Sequence, residues 1–262
     1  MHRQFLTIPI RLIIQALYCS LETAEKMHYR ENTTEAILKH AEQNGGQLKE
    51  YNDMTCSREY LDACHAGKIE NGDVMIQISL DGAQLYADKN LDCWIFIYVI
   101  HNLPPDLRYK KRFVIPAGFI GGLKKPKHTD SYLYPALSHI SALQKEGLKI
   151  WDAWAHSYIP KSIQFLMLVT ANGPAMTDAC GNVGHSGKCD CQLFCALSGQ
   201  CHDGDRHYFP LLQKPMNYSI AGYDHPDVTF AQLHEFCQNS SEHYKTNLQH
   251  LLSAQNPSQY NT

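Results

Sequence analysis

The sequence predicts an α/β fold: a mixed sheet of order β-β-β-α-β, with a helical N-terminal segment ahead of it and a Cys/His-rich insertion behind. Three observations carry this reading. Apolar, β-rich runs recur at residues 74–80, 93–100 and 112–120. A helical period follows at 130–147 before the next apolar run at 163–170. Beyond that, five of the ten cysteines crowd into residues 180–201. These changes of pattern divide the chain into a helical lead-in at 1–68, a core at 69–175, a Cys/His-rich segment at 176–215 and a helical C-terminal segment at 216–262.

In the lead-in, helix formers at 12–27 are followed by a short helix at 34–41, stopped by Asn44-Gly45-Gly46, and by a third at 57–64, ended by Gly67. In the core, Val74 to Leu80 reads as the first strand, with Asp81 at its end. Residues 93–100 are almost continuously apolar, the mark of a central strand buried on both faces. Leu103-Pro104-Pro105-Asp106 reads as a turn. Pro116 interrupts the third strand, which predicts an edge position or a bulge. A helix capped at Asp130-Ser131 runs through Leu137, Ile140 and Leu143 to Gly147, and a connector leads to the fourth strand at 163–170. If the first three strands form a meander, a right-handed crossover lays the fourth parallel to the first. Asp81 and Asn172 then become neighbours at adjacent strand ends. This is the layout of a ribonuclease-H-like fold.

Composition narrows the function. A formal net charge of -3 argues against binding nucleic acid through overall electrostatics, so any such contact needs a local patch. Two basic runs qualify: Arg108, Lys110, Lys111 and Arg112, and Lys124, Lys125 and Lys127. They flank the third strand and could grip phosphates on either side of the site, or serve as solvated loops. Arg11 breaks the apolar N-terminal run, no small-x-small cleavage pattern follows, and no apolar run reaches eighteen residues. The expectation is a soluble, intracellular protein. Asp152 and Asp178 read as surface loop acids, and Trp94, Trp151 and Trp154 as packed in the core or beneath loops.

Several motifs, in order along the chain, resemble one family. They are the run Ile78-Ser79-Leu80-Asp81-Gly82-Ala83-Gln84-Leu85-Tyr86, the run from Asn102 to Lys111, and Val183-Gly184-His185-Ser186-Gly187-Lys188. Leu193-Phe194-Cys195 and His207-Tyr208-Phe209-Pro210 complete the set. Together they resemble the fungal branch of CACTA-type (En/Spm-like) DNA transposases. The resemblance implies a DDE-type enzyme with a ribonuclease-H-like catalytic domain, in which three acids hold two Mg²⁺ ions for DNA strand cleavage and transfer. It also implies transposon-end DNA as partner, nuclear localisation and room for homo-oligomers. Asp81 matches the first acid. The second-acid position reads Thr170-Ala171-Asn172-Gly173-Pro174, with an amide in place of the carboxylate. The third acid is expected beyond a segment resembling residues 244–252, and the chain stops at Thr262. The expectation is a truncated, transposase-derived domain whose ancestral Mg²⁺ site is lost. The alternatives are a non-catalytic DNA-binding or assembly module and a decayed transposon fragment.

The Cys/His-rich segment offers a structural Zn²⁺ site. Cys191 and Cys195 form one close pair, and His207 with His202 the other, which suits a tetrahedral ion. The resemblance favours Cys191, Cys195 and His207, because the family carries a Cys/His insertion after the second acid. The alternative is a glycine-rich loop with free thiols.

Overall fold

A computed structural model describes residues 5–48, 50–84, 92–122 and 129–172, together with 175–176, 187–188, 199–201, 207–209, 212–213, 227–237, 245–246, 249 and 253. Two compact units divide the chain, Met1–Ala175 and Met176–Thr262.

The first unit is built on one five-stranded mixed sheet. Its first four strands in chain order are β1 (Phe5–Thr7), β2 (Val74–Gln84), β3 (Asp92–Ile100) and β4 (Ile115–Gly122). A long helix, Thr129–Glu146, then leads to a hairpin of β5 (Leu148–Asp152) and β6 (Ser157–Ser162), and on to β7 (Gln164–Ala171). The spatial order is β1-β4-β3-β2-β7. As the pattern predicts, β2, β3 and β4 form an antiparallel meander, and β7 lies parallel to β2. The crossover helix buries Leu133, Ala136, Ile140 and Leu143.

Alternation along β2 explains which face is covered. Val74, Ile76, Ile78 and Leu80 point into the main core with Phe96, Tyr98 and Ile100 of β3. The intervening positions Gln77, Ser79 and Asp81 form a polar stripe on the opposite face. Helices α1 (Ile10–Cys19) and α2 (Leu21–Met27) contribute Ile10, Ile14, Tyr18, Ala24 and Met27 to the core. Next come α3 (Tyr29–Gln43), a 3-10 turn at Met54–Cys56 and α4 (Arg58–His65), whose N-terminus is capped where Tyr60 N donates to Ser57 Oγ at 3.3 Å. α3 ends at Asn44 and the left-handed Gly45 and Gly46, as the sequence expects.

Three features depart from the sequence reading and one alternative is decided. Phe5–Thr7 is not helical; it forms a strand paired with β4, Leu6 opposite Phe119. Of the two expectations for Pro116 the bulge holds and the edge does not: β4 is an interior strand, and Ile97 faces Pro116 while Phe96 faces Gly118, leaving Ala117 unmatched. Ala117 O accepts instead from Ile8 N at 2.9 Å. The expected turn at 103–106 contains one helical turn, α5 (Pro105–Arg108), with proline at its first position. The connector after β5 is itself a strand, β6, pairing Trp151 with Tyr158 and Asp152 with Ser157.

β1 and β7 border the sheet. On β7, Met167 and Leu168 are 37% and 47% exposed.

In the second unit the described elements are a short antiparallel pair, β8 (Gln200–Cys201) with β9 (Tyr208–Phe209), and a helix, α7 (Phe230–Cys237). A capping box opens α7: Thr229 N donates to Gln232 Oε1 at 2.9 Å and Gln232 N to Thr229 Oγ1 at 3.3 Å. Among the described residues no helix is long and apolar enough to cross a membrane. The crossover helix, Thr129–Glu146, is α6 below.

Candidate active-site pair

The parallel ladder between β2 and β7 ends at Leu80 opposite Ala171, so the next residue of each strand is a member of the predicted pair. Asn172 Nδ2 donates to Asp81 Oδ1 at 3.0 Å, across 91 residues of sequence. Both side chains are exposed. β7 stops at Ala171, but β2 continues to Gln84 because β3 pairs with it as far as Asp92. Asp81 therefore sits within its strand, opposite Ile95, rather than at its end.

The amide is held at both ends. Ala175 N donates to Asn172 Oδ1 at 3.0 Å, so the oxygen must face that backbone group and the nitrogen must face Asp81. Reversing the amide would set donor against donor and carbonyl against carboxylate. Behind the pair, Gln77 Nε2 donates to Thr170 Oγ1 at 2.9 Å, tying the stripe on β2 to β7. His101 Nε2 donates in turn to Gln77 Oε1 at 2.9 Å, since its Nδ1 accepts from Arg108 Nη1 at 2.6 Å. An oriented chain of hydrogen bonds thus runs from Arg108 to within two residues of Asn172.

This geometry limits what the pair can do. Two divalent cations need several hard, preferably anionic oxygens. Here the pair supplies one carboxylate; the amide oxygen is taken by Ala175, and the amide nitrogen points a donor at that carboxylate. The pair does not fit a two-metal centre. Among the described residues no group of three His, Cys, Asp or Glu side chains could hold a metal ion.

Arg108 is not a surface cation. It is 1% exposed, and its guanidinium forks onto Asp53, Nη1 to Oδ1 at 2.9 Å and Nη2 to Oδ2 at 2.6 Å, while Nε donates to Leu103 O at 3.0 Å. Each of its three nitrogens donates to a protein group and the side chain is buried, which removes it from the predicted phosphate contacts. Burial and the adjacent guanidinium push His101 down to about 4, so it stays neutral. Burial opposes ionisation of Asp53, but the Arg108 fork outweighs it and holds the carboxyl below the usual range. Lys110, Lys111 and Arg112 are exposed. Arg112 Nη1 lies 3.7 Å from Glu22, a partner that screens part of its charge. These three residues follow β3 and precede β4, at the end of the sheet where Ile76 faces Ile100, and so away from Asp81. Lys124, Lys125 and Lys127 fall outside the described residues, as do Asp178, Cys191, Cys195 and His202; His207 is exposed beside β9.

Asp152 is the reverse of a surface acid. It is 1% exposed, accepts from Trp154 N at 2.9 Å and Ala155 N at 3.2 Å, and meets His28 Nε2 at 2.7 Å. His28 Nδ1 meets Glu31 Oε2 at 2.9 Å, so both ring nitrogens face carboxylates. The hydrogen bond that His28 donates to Glu31, against the opposing effect of burial, and the Asp152 contact raise His28 to about 9, making it a partly buried imidazolium. Glu31 Oε1 also accepts from Gly72 N at 2.6 Å, two residues before β2 begins, so this cluster too lies at the end remote from Asp81.

Compared with models of protein families, residues 46–205 match the family described as Transposase family tnp2. No curated protein and no solved structure matches the chain.

Proposed function

The chain belongs to the tnp2 transposase family, and on that premise we propose that it binds DNA without cutting it. In this reading the first unit is a ribonuclease-H-like core of the DDE type, resembling the CACTA-type branch. Asp81 keeps the place of the first acid, and Asn172 stands where the second would be. The observation that supports silence is the double anchoring of Asn172, with Nδ2 on Asp81 and Oδ1 on Ala175 N. A carboxylate at 172 would need a cation between it and Asp81, whereas the amide satisfies Asp81 with no ion present. Replacing a metal-bridging acid by a neutral amide leaves two dications under-neutralised by an amount on the order of several kcal/mol.

DNA contact then falls to Lys110, Lys111 and Arg112, and to Lys124, Lys125 and Lys127, acting on phosphates in the nucleus, with self-association as an added feature. The donor set Cys191, Cys195, His202 and His207 suits a structural zinc. Stoichiometric zinc in protein expressed with the metal supports that site, and its absence removes it.

The deciding experiment is incubation of the full chain with supercoiled plasmid in Mg²⁺ or Mn²⁺. No nicking is expected, alongside DNA binding whose affinity falls steeply with salt. Metal-dependent nicking that disappears in Asp81→Ala would overturn the silent-site reading.

A further inference from the structure

The β5–β6 hairpin carries an aromatic and basic face that the Asp81–Asn172 site does not use. Leu148, Ile150 and Asp152 point inward and are buried, so the alternate positions Lys149 and Trp151 point outward. Trp151 pairs with Tyr158 across the hairpin, their rings 5.0 Å apart and edge to face. Lys149 Nζ lies 4.5 Å from the centre of the Tyr158 ring. Tyr158 is 57% exposed, and at the tip Trp154 is 48% exposed, where the sequence expects a packed indole. The hairpin's second cation, Lys161, is also exposed. The only acid from 147 to 163 is Asp152, which is buried and bound to His28; the nearest exposed one in sequence is Glu146, at the end of α6.

This surface is built rather than incidental. Backbone N–H groups of Trp154 and Ala155 are gathered onto the buried Asp152 carboxylate, which fixes the tip that presents the indole. Ala153 N donates to Tyr18 O at 2.9 Å, and Gln15 Nε2 to Trp151 O at 3.4 Å, docking the hairpin on α1. Exposed rings flanked by lysines, on a hairpin whose only acid of its own is buried, match the two demands of unpaired nucleic acid: a flat partner for each base face and a cation for each phosphate. Paired DNA hides its base faces in the stack, so such rings select unpaired segments.

We propose that the β5–β6 hairpin is a stacking platform for unpaired DNA, with Trp154 and Tyr158 under successive bases and Lys149 and Lys161 on the phosphates. The assignment rests on the reading of the chain as a DNA-binding protein. The hairpin feeds β7 at the end of the sheet remote from Asp81, about 23 Å from Val74 to Asp81 along β2 at ~3.3 Å per residue.

The test is fluorescence anisotropy of the full chain with labelled oligothymidine and with a blunt duplex of equal length. Trp154→Ala and Tyr158→Ala should each weaken oligothymidine binding roughly tenfold, with duplex affinity changed less than about twofold, and Trp154→Phe should restore most of the loss. Urea midpoints separate lost folding from lost stacking, and Trp154, whose ring is half exposed at the tip, decides if Tyr158→Ala is unstable. Oligothymidine affinity unchanged in folded Trp154→Ala, with duplex still bound, overturns the platform and leaves the DNA-binding reading standing. Failure of the unsubstituted chain to bind either DNA overturns both. A shift from dimer to monomer in Trp154→Ala with oligothymidine affinity unchanged makes the face a self-association patch and also overturns the proposal.

Discussion

The two ends of the central sheet treat their polar groups in opposite ways. At the end where β2 begins, charges are wholly or largely buried and paired: Arg108 on Asp53, and His28 between Glu31 and Asp152. Asp73, at the same end, accepts from Glu70 N and Ile163 N, while the buried Asn102 donates to its carbonyl. At the other end, Asp81 and Asn172 are exposed and hold one another by a single bond. Ionic chemistry at the first end fixes where helices, hairpin and sheet meet. At the second it is open to water and to ions, and a single substitution there can change its character without unfolding the chain.

The sharpest way to break this contrast is to cut the buried end. Arg108→Ala should cost about 3–5 kcal/mol, because Asp53 is left buried without its cation. Arg108→Lys should recover only part, since an ammonium cannot reproduce the fork. Urea unfolding monitored by circular dichroism measures both. If Arg108→Ala is neutral in stability and instead weakens DNA binding, the residue belongs to the surface after all.

His28→Gln should cost about 1.5–3 kcal/mol near pH 6, the range for hydrogen bonds to charged groups. Its pH signature is more telling. The folded value of His28 is raised to about 9 from 6.5, so its contribution is complete below about 6.5 and is lost as pH rises through about 9. His101 is lowered to about 4, so its effect has the opposite slope: stability is held above 6.5 and lost as pH falls through about 4. Unfolding midpoints from pH 4 to 10 should show both slopes, with only the alkaline one flattened in His28→Gln.

At the open end, Asn172→Asp sets two carboxylates face to face. A loss of about 1 kcal/mol in chelator, or roughly 2–4 °C of melting temperature, should be reversed by Mg²⁺ or Mn²⁺. The unsubstituted chain should show no such metal dependence. The same metal response in both proteins would mean that Asn172 does not silence the pair.

The smallest effects belong to the exposed cations. Lys110→Gln and Lys111→Gln should leave stability within ±0.5 kcal/mol and each reduce the slope of log affinity against log salt by about one. Unchanged slopes would assign them to solvent rather than to phosphate.

The open end was readable in the sequence and much of the closed end was not. Apolar runs at 74–80, 93–100 and 163–170 with one intervening helix suffice to bring Asp81 beside Asn172, because handedness and sheet pairing leave little choice. β1 has three residues, too few to display a period of two. β6 reads Ser157-Tyr158-Ile159-Pro160-Lys161-Ser162, whose proline and polar outward positions resemble a loop. Arg108 sits in a cluster of cations and looks like its neighbours. What distinguishes it is tertiary: one helical turn after Pro104-Pro105 aims it inward, and its partner Asp53 lies 55 residues earlier. Asp152 misleads for the same reason, since its cation is 124 residues away in the lead-in. Local pattern reports periodicity well and long-range charge pairing hardly at all.

The two borders of the sheet carry unequal hazards for handling the protein. β1 is a three-residue strand, too short to template another chain, and it shields the flank of β4. β7 is eight residues long, carries Phe165 to Val169 without a charge, and no strand among the described residues pairs along its outer side. Aggregation on heating should begin there, making thermal scans irreversible and chemical denaturation the sounder measure of stability. A lysine at Met167, already exposed at 37%, should act as a gatekeeper and raise the concentration at which the heated protein clouds.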